Sequence, residues 1–136
     1  YNKTLIYLDL FHNKILIWLR CIMEKVKMDI GEAADLFKIM GDRSRLSMVG
    51  MMNRRECCVC DFTECFGMSQ PAVSQHLKKL RTMGLIKERK EGYWTYLSLN
   101  EESPFHEMIP EIIAAIPDID AQISAMIARC SREDCC

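Results

Sequence analysis

The sequence predicts a mainly α-helical domain that contains one β-hairpin. Three observations support this class: apolar residues recur at helical spacing over most of the chain, one segment is rich in β-branched and aromatic residues, and glycines separate the segments. At 136 residues, the chain has room for one domain with a core and little more. Hydrophobic residues make up 49% and charged residues 27%, which excludes a disordered or collagen-like protein.

Glycines and capping residues indicate where the first three helices begin and end. A helix over Ala33 to Met40 ends at Gly41, and Ser44 can cap the next helix. A third helix lies near Asp61 to Phe66 and stops at Gly67, a natural left-handed residue.

The fourth helix has the clearest boundaries. Ser69 is a plausible N-cap, Pro71 falls in the first turn, and Gly84 closes the helix. One face is apolar, with Val73, Leu77 and Leu80. The opposite face carries hydrogen-bonding and cationic side chains: Gln70, Ser74, Gln75, Lys78, Lys79 and Arg81.

A hairpin and further helical segments follow. The hairpin has strands at 86–89 and 93–99, with a turn at 90–92. From Phe105 helical spacing returns, and Pro117 must break or kink it, so we expect two C-terminal helices or one kinked helix. Their apolar stripe predicts a homodimer interface made by Ile112, Ile116, Ile123 and Ile127.

Helix, turn, helix and basic hairpin, in this order, predict a winged helix-turn-helix domain that binds double-stranded DNA. Between His76 and Trp94 there are six Lys/Arg and two acidic residues, which gives a local charge of +4 in a chain of net charge -1. Positive charge is therefore concentrated where phosphates would lie. An ordinary solvated helix face is the alternative, but the turn residues, the hairpin and the local charge together disfavour it.

We divide the chain into three parts. Residues 1–28 are an N-terminal extension, 29–116 are the winged helix-turn-helix DNA-binding domain, and 117–136 are a C-terminal helix and cysteine-rich tail. Charged residues such as Asp9 and Lys14 interrupt the apolar stretch of the extension, which argues against a membrane span. We expect the extension to be either foreign to the native chain or an extra helix packed at a dimer interface.

The eight cysteines are grouped, not spread along the chain. They include Cys57, Cys58, Cys60 and Cys65 within nine residues, and Cys130, Cys135 and Cys136 within seven. Such clusters close long loops poorly, whereas they can gather several thiolates around one soft ion. A cytoplasmic protein with a metal site is therefore favoured over a secreted disulfide scaffold.

These segments together resemble the ArsR/SmtB family of metal-responsive repressors. The resemblance covers about Ala33 to Leu99 and includes LFKIMGDRSRLSMV, ECCVCDF and MSQPAVSQHLKKLRTMGLIKERKEGYWTYLSL. It implies a homodimer that occupies operator DNA when empty and leaves it when metal binds. It also implies that the bases are faced by Gln70, Ser74, Gln75 and His76, and the phosphates by Ser69, Lys78, Lys79, Arg89 and Lys90. His76 alone is weaker evidence, because it could equally pack beside Leu77.

The CVC of ECCVCDF matches the metal box of that family and makes Cys58 and Cys60 the expected metal-binding residues. On an ideal helix, side chains two residues apart point about 200° apart, so one ion could join them only by distorting the helix. Such a distortion would be a release mechanism. The third thiolate stays open, because the arsenic-type cysteine is replaced by Thr63. The candidates are Cys57, which would share a helix face with Cys60, then Cys65, and the tail residues Cys130, Cys135 and Cys136.

The main hypothesis is a repressor released by As(III) or Sb(III), since three thiolates suit these pyramidal ions. Four thiolates would suit Cd(II), Pb(II) or Zn(II), and a Cd(II)/Pb(II)-responsive repressor is the first alternative. A repressor that senses oxidation of Cys58 and Cys60 is the second. A small thiol enzyme is remote, because no phosphate-cradling loop accompanies any cysteine and the basic hairpin would be unexplained. We therefore expect no enzyme.

Overall fold

The computed structural model describes residues 28–130. Its helices are α1 (Ile30–Met40), α2 (Arg43–Met52), α3 (Val59–Phe66), α4 (Gln70–Thr82), α5 (Met108–Ala114) and α6 (Ile119–Cys130). Its strands are β1 (Cys57–Cys58), β2 (Ile86–Glu91) and β3 (Trp94–Leu99), joined in one antiparallel sheet of order β1-β3-β2. The predicted helical fold with a hairpin is confirmed. The expected N-terminal extension and the end of the cysteine-rich tail lie outside the described residues, and the three-part division stays a prediction.

The helices begin and end close to the predicted residues, with one exception. Gly67 ends α3 in a left-handed conformation, φ 59°, and Ser69 caps α4. The prediction that Ser44 caps α2 is wrong. The cap is Asp42, whose carboxylate accepts a hydrogen bond from the Arg45 backbone N–H at 3.0 Å. An ionised carboxylate at this place accepts a hydrogen bond from an otherwise unpaired N–H. Its negative charge also interacts favourably with the positive end of the helix dipole.

One hydrophobic core packs the helices against the sheet. The apolar face of α4 is buried as predicted, at Val73, Leu77 and Leu80, and it shares this core with Phe62 of α3 and Leu97 of β3. The opposite face of α4 consequently faces solvent beside the hairpin. The first strand of the hairpin runs on to Glu91, so the turn falls at 92–93, slightly later than predicted.

The C-terminal apolar segment forms two helices, with Pro117 in the turn between them. The expected dimer stripe differs in burial from residue to residue. Ile123 is 1% exposed and packs beside Gly50 in the core of its own chain, so its assignment to a dimer interface is wrong. The half-buried members of the stripe remain candidates: Ile112, Ile116 and Ile127. Among residues 28–130, no helix is long and apolar enough to cross a membrane.

A short third strand, β1, was not predicted. Cys57 lies opposite Leu97 of β3, and Cys58 lies opposite Tyr96. Two residues are too few to display an alternating pattern, so the sequence carries no periodic signal for this strand. The strand joins the cysteine segment directly to the β2–β3 hairpin. We call this hairpin, residues 86–99, the wing.

Candidate nucleic-acid interface and thiol site

The predicted reading face of α4 is exposed to solvent. Its exposed members are Gln70, Ser74, Gln75, Lys78 and Lys79, which follow one another at helical spacing. His76 differs from them, because it is half-buried and its Nδ1 lies 3.6 Å from Asp42 Oδ1. The hydrogen bond from the Arg45 backbone holds the pKa of Asp42 below its ordinary value, and the charges of Arg45 and His76 act in the same direction. His76 thus lies beside Asp42, the N-cap of α2, and not on the exposed face of α4.

Three of the six Lys/Arg between His76 and Trp94 are ion-paired within the chain. Arg81 pairs with Glu88, and Lys87 Nζ lies 3.5 Å from Glu101 Oε2. The third is Arg89, described below. Within the part of the chain that the structure describes, the cations of this region that make no ion pair are Lys78, Lys79 and Lys90.

Arg89 of the wing is held by two carboxylates and an aromatic ring. Its Nη2 lies 2.9 Å from Glu56 Oε2, its Nη1 also pairs with Glu91, and its guanidinium lies 4.7 Å from the centre of the Tyr96 ring. The hydrogen bond from Arg89, then the charges of Arg89 and Lys87, hold the pKa of Glu56 below its ordinary value. The positive charge expected here for phosphate binding is therefore largely neutralised in the free protein.

Glu56 belongs to a run of three charged residues that connects the cysteine segment to its surroundings. Arg54 pairs with Asp120 of α6, Arg55 Nη2 lies 3.3 Å from Asp61 Oδ1, and Glu56 reaches the wing. The segment before β1 is thus attached to the last helix, to α3 and to the wing.

Cys58 and Cys60 lie at the junction of β1 and α3. They are joined by a disulfide, with Cα atoms 5.2 Å apart. The expectation that both lie on one ideal helix is wrong, since Cys58 is the N-cap and has an extended backbone, φ -92° and ψ 166°. Because Cys58 lies outside the helix, the two sulfurs can meet without unwinding α3, and the proposed release by helix distortion loses its basis.

Cys58 also closes a capping box with Asp61. The Asp61 backbone N–H donates to Cys58 Sγ at 3.3 Å, and the Cys58 N–H donates to Asp61 Oδ2 at 2.8 Å. Sequence reasoning missed this role, although a carboxylate three residues after a possible cap is a known signal. One sulfur atom therefore serves both the helix terminus and the cysteine pair.

Cys57 and Cys65 are directed away from this pair. Cys57 is fully buried in the core, and burial raises the pKa of its thiol to about 12. The expected helix face shared with Cys60 is wrong, because Cys57 belongs to β1, where successive side chains point to opposite sides. Cys65 is disulfide-bonded, and its Sγ lies 3.4 Å from the Met126 carbonyl oxygen of α6.

We expect Cys57 to resist alkylation in the folded, reduced protein. The thiolate is the nucleophile, and with a pKa of about 12 only about one Cys57 thiol in ten thousand is ionised at about pH 8. Iodoacetamide followed by peptide mass spectrometry should find Cys60 modified and Cys57 unmodified, whereas both should react in guanidinium. Equal modification of both in the folded protein would show that Cys57 is accessible.

A cavity of about 290 Å³ lies beside the cysteine pair. Its walls are Cys58, Val59, Cys60, Thr63, Gln70, Tyr93, Trp94 and Thr95. Gln70 is the first residue of α4, and Tyr93 and Trp94 lie at the tip of the wing. A ligand that fills the space beside the two sulfurs would therefore contact both parts of the predicted DNA-binding surface.

Comparison with known proteins agrees with this architecture. The model of the arsR family of bacterial regulatory proteins matches residues 42–88. The arsenical resistance operon repressor of Escherichia coli (strain K12) is 41% identical over 70 residues, which are 51% of this chain and 60% of that protein. The chain thus spans less than two thirds of that relative.

Two further relatives are matched over nearly their whole length. The arsenic resistance transcriptional regulator ArsR2 of Pseudomonas putida is 32% identical over 109 residues, 75% of this chain and 95% of that protein. The structure of reduced HlyU from Vibrio cholerae N16961 matches with a TM-score of 0.57 and 30% identity, covering 64% of this chain and 90% of HlyU. The predicted winged helix-turn-helix fold and the ArsR/SmtB resemblance are confirmed. The chain belongs to the arsR family, whose members are DNA-binding transcriptional regulators and not enzymes.

Proposed function

We propose that the chain is a transcriptional repressor that binds operator DNA as a homodimer and leaves it when As(III) or Sb(III) binds Cys58 and Cys60. The observation that carries the proposal is the cavity in which this pair meets the first residue of α4 and the tip of the wing. The names of two relatives, an arsenical resistance operon repressor and an arsenic resistance regulator, support the choice of ligand.

The donor set fits a soft trivalent ion. Two sulfurs on one cavity can bind As(III) or Sb(III) once the disulfide is reduced. Among residues 28–130, no group of three or more His, Cys, Asp or Glu is arranged to hold a metal ion, so neither a three-thiolate site nor a four-ligand site for Cd(II), Pb(II) or Zn(II) is complete within those residues. Cys57 would have to leave the core and lose its proton to join, so we assign it to packing and leave the third position to a tail thiol or a hydroxide.

The DNA contacts follow from exposure and charge. Gln70, Ser74 and Gln75 are exposed on α4 and can reach base edges in the major groove. Phosphates would be bound by the unpaired cations Lys78, Lys79 and Lys90, while Arg89 must first exchange Glu56 for a phosphate. We assign Ser69 chiefly to the cap of α4, and His76 to the contact with Asp42.

Release would act through the wing. Cys58 pairs with Tyr96 of β3, and Glu56, two residues before Cys58, holds Arg89 of β2. A ligand on Cys58 and Cys60 would therefore bind next to the residues that hold the hairpin. A ligand that also touches Gln70 can change the position of the wing relative to α4. Because both must fit the same duplex, a shifted arrangement binds DNA less well, and the ligand selects that arrangement.

Titration of the DNA complex with metal ions tests the function. An operator selected from a random duplex library is bound by the reduced protein and followed by fluorescence anisotropy. We expect As(III) and Sb(III) to release the DNA at lower concentrations than Cd(II), Pb(II) or Zn(II). Release at the lowest concentration by Cd(II) or Zn(II) would contradict the ligand assignment, and failure to select any duplex would contradict the DNA-binding role.

The Cys58–Cys60 disulfide itself favours a second candidate function, a repressor that senses thiol oxidation. The two thiols would lose two electrons and two protons to hydrogen peroxide and form the S–S bond, while the O–O bond breaks and two water molecules are produced. Mass spectrometry of the released protein separates the candidates, because a disulfide lowers the mass by two hydrogen atoms whereas bound arsenic raises it.

A further inference from the structure

We propose that the cavity beside Cys58 and Cys60 binds trivalent arsenicals that carry one aromatic substituent more tightly than it binds arsenite. The proposal rests on the proposed function for the role of the two thiols, and it adds the class of ligand that the rest of the cavity fits.

The bonding requires two sulfurs and leaves one arsenic bond for carbon. After a thiol or phosphine reductant has opened the disulfide, each thiol replaces one hydroxyl of an aryl-As(OH)₂ molecule. Each thiol proton leaves with a hydroxyl as water, arsenic stays trivalent, and the arsenic–carbon bond is not broken. Cys58 and Cys60, with Cα atoms 5.2 Å apart, supply both sulfurs from one chain.

The cavity is larger than arsenite needs. Its volume is about 290 Å³, whereas an apolar cavity of roughly 150 Å³ is enough to hold benzene. The space therefore accommodates one aromatic ring in addition to the arsenic atom. Thr63 also lines this space, and its hydroxyl donates to the Cys60 carbonyl oxygen at 2.9 Å.

The wing supplies an aromatic wall. Trp94 lines the cavity and is 44% exposed, and Tyr93 next to it is fully exposed. These are large apolar surfaces in water beside two thiols. An aryl group stacked on Trp94 would cover part of this surface, and aromatic pairs are favourable beyond the area they bury. Arsenite has no group that could make this contact.

Binding of three ligands by the full-length, reduced chain tests the proposal. The background carries Cys135→Ser and Cys136→Ser, so that the adjacent pair of thiols at the end of the tail cannot chelate arsenic. The ligands are arsenite, methylarsenite and phenylarsenite, measured by calorimetry, with native and tandem mass spectrometry to locate the adduct. We expect phenylarsenite to bind at Cys58 and Cys60 most tightly. Trp94→Ala should weaken phenylarsenite roughly three- to tenfold and leave arsenite unchanged, while Trp94→Phe should retain the preference.

Three results would overturn the proposal: equal affinities for the three ligands, an equal effect of Trp94→Ala on arsenite and phenylarsenite, or an adduct on other cysteines. The proposed function is judged separately by release of operator DNA. If arsenite releases the DNA but Trp94→Ala affects arsenite and phenylarsenite equally, only the proposed preference for aryl arsenicals fails. If phenylarsenite binds through Trp94 but no arsenical releases DNA, only the proposed function fails.

Discussion

Replacing Cys58 or Cys60 with serine is expected to leave operator binding unchanged and to abolish release by As(III). A hydroxyl is a far poorer ligand for a soft ion, and loss of one of two linked thiolates should raise the midpoint of release at least about a hundredfold. The fold should tolerate both changes. The Asp61 N–H donates a hydrogen bond to Cys58 Sγ. Serine is a preferred N-cap residue, so in Cys58→Ser the hydroxyl oxygen can accept this bond instead. Fluorescence anisotropy with the selected operator measures both quantities.

Cys57→Ser is the matched control. It alters a neighbouring cysteine that is buried in the core, so we expect a loss of about 1–3 kcal/mol of stability from burying a hydroxyl among apolar side chains but no change in the midpoint of release. Thermal unfolding and the same titration separate the two effects. If the Cys58/Cys60 double variant still leaves DNA at the ordinary As(III) concentration, the pair is not the sensor, and the tail cysteines become the candidates.

The elements that the sequence predicts well are those determined by neighbouring residues. The boundaries of α4 depend on Ser69, Pro71 and the glycine after the helix, and its buried face depends on a repeat within the helix itself. All of these signals lie within one turn or one helix length. Cys58 and Cys60 likewise lie in one short motif, so the sequence alone identifies the pair.

The features that the sequence does not reveal depend on distant partners. β1 exists because Cys57 and Cys58 pair with β3, about forty residues later. That pairing removes Cys58 from the helix and directs Cys57 into the core, so both assumptions about helix faces fail together. Glu56 and Arg89 are 33 positions apart, and a count of local charge from His76 to Trp94 leaves Glu56 out. The local charge of +4 therefore overstates the charge available to DNA.

Replacing both Lys78 and Lys79 with alanine removes two phosphate contacts from each protomer of the proposed homodimer, so binding to any duplex is expected to weaken on the order of a thousandfold at about 0.15 M salt. Each phosphate contact contributes about 0.9 to the slope of log affinity against log salt, so the slope should fall by roughly 3.6. Arg89→Ala should have a smaller effect than either lysine change, because Glu56 and Glu91 already neutralise Arg89 in the free protein. Anisotropy titrations of one random duplex at several salt concentrations measure these slopes. Equal losses for Arg89 and the lysines would contradict the role assigned to Glu56.

Glu56→Gln tests that role in the opposite direction. Removing the carboxylate frees Arg89 of each protomer to meet a phosphate, so affinity should rise several-fold and the slope should steepen by up to about 1.8 for the proposed homodimer. Glu102→Gln is the control, because it removes the same charge from an exposed residue that does not contact Arg89. We expect Glu102→Gln to raise the affinity for any duplex slightly, without adding a phosphate contact. If the two variants change the slope equally, the gain comes from net charge alone, and the Glu56–Arg89 pair does not limit the wing's hold on DNA.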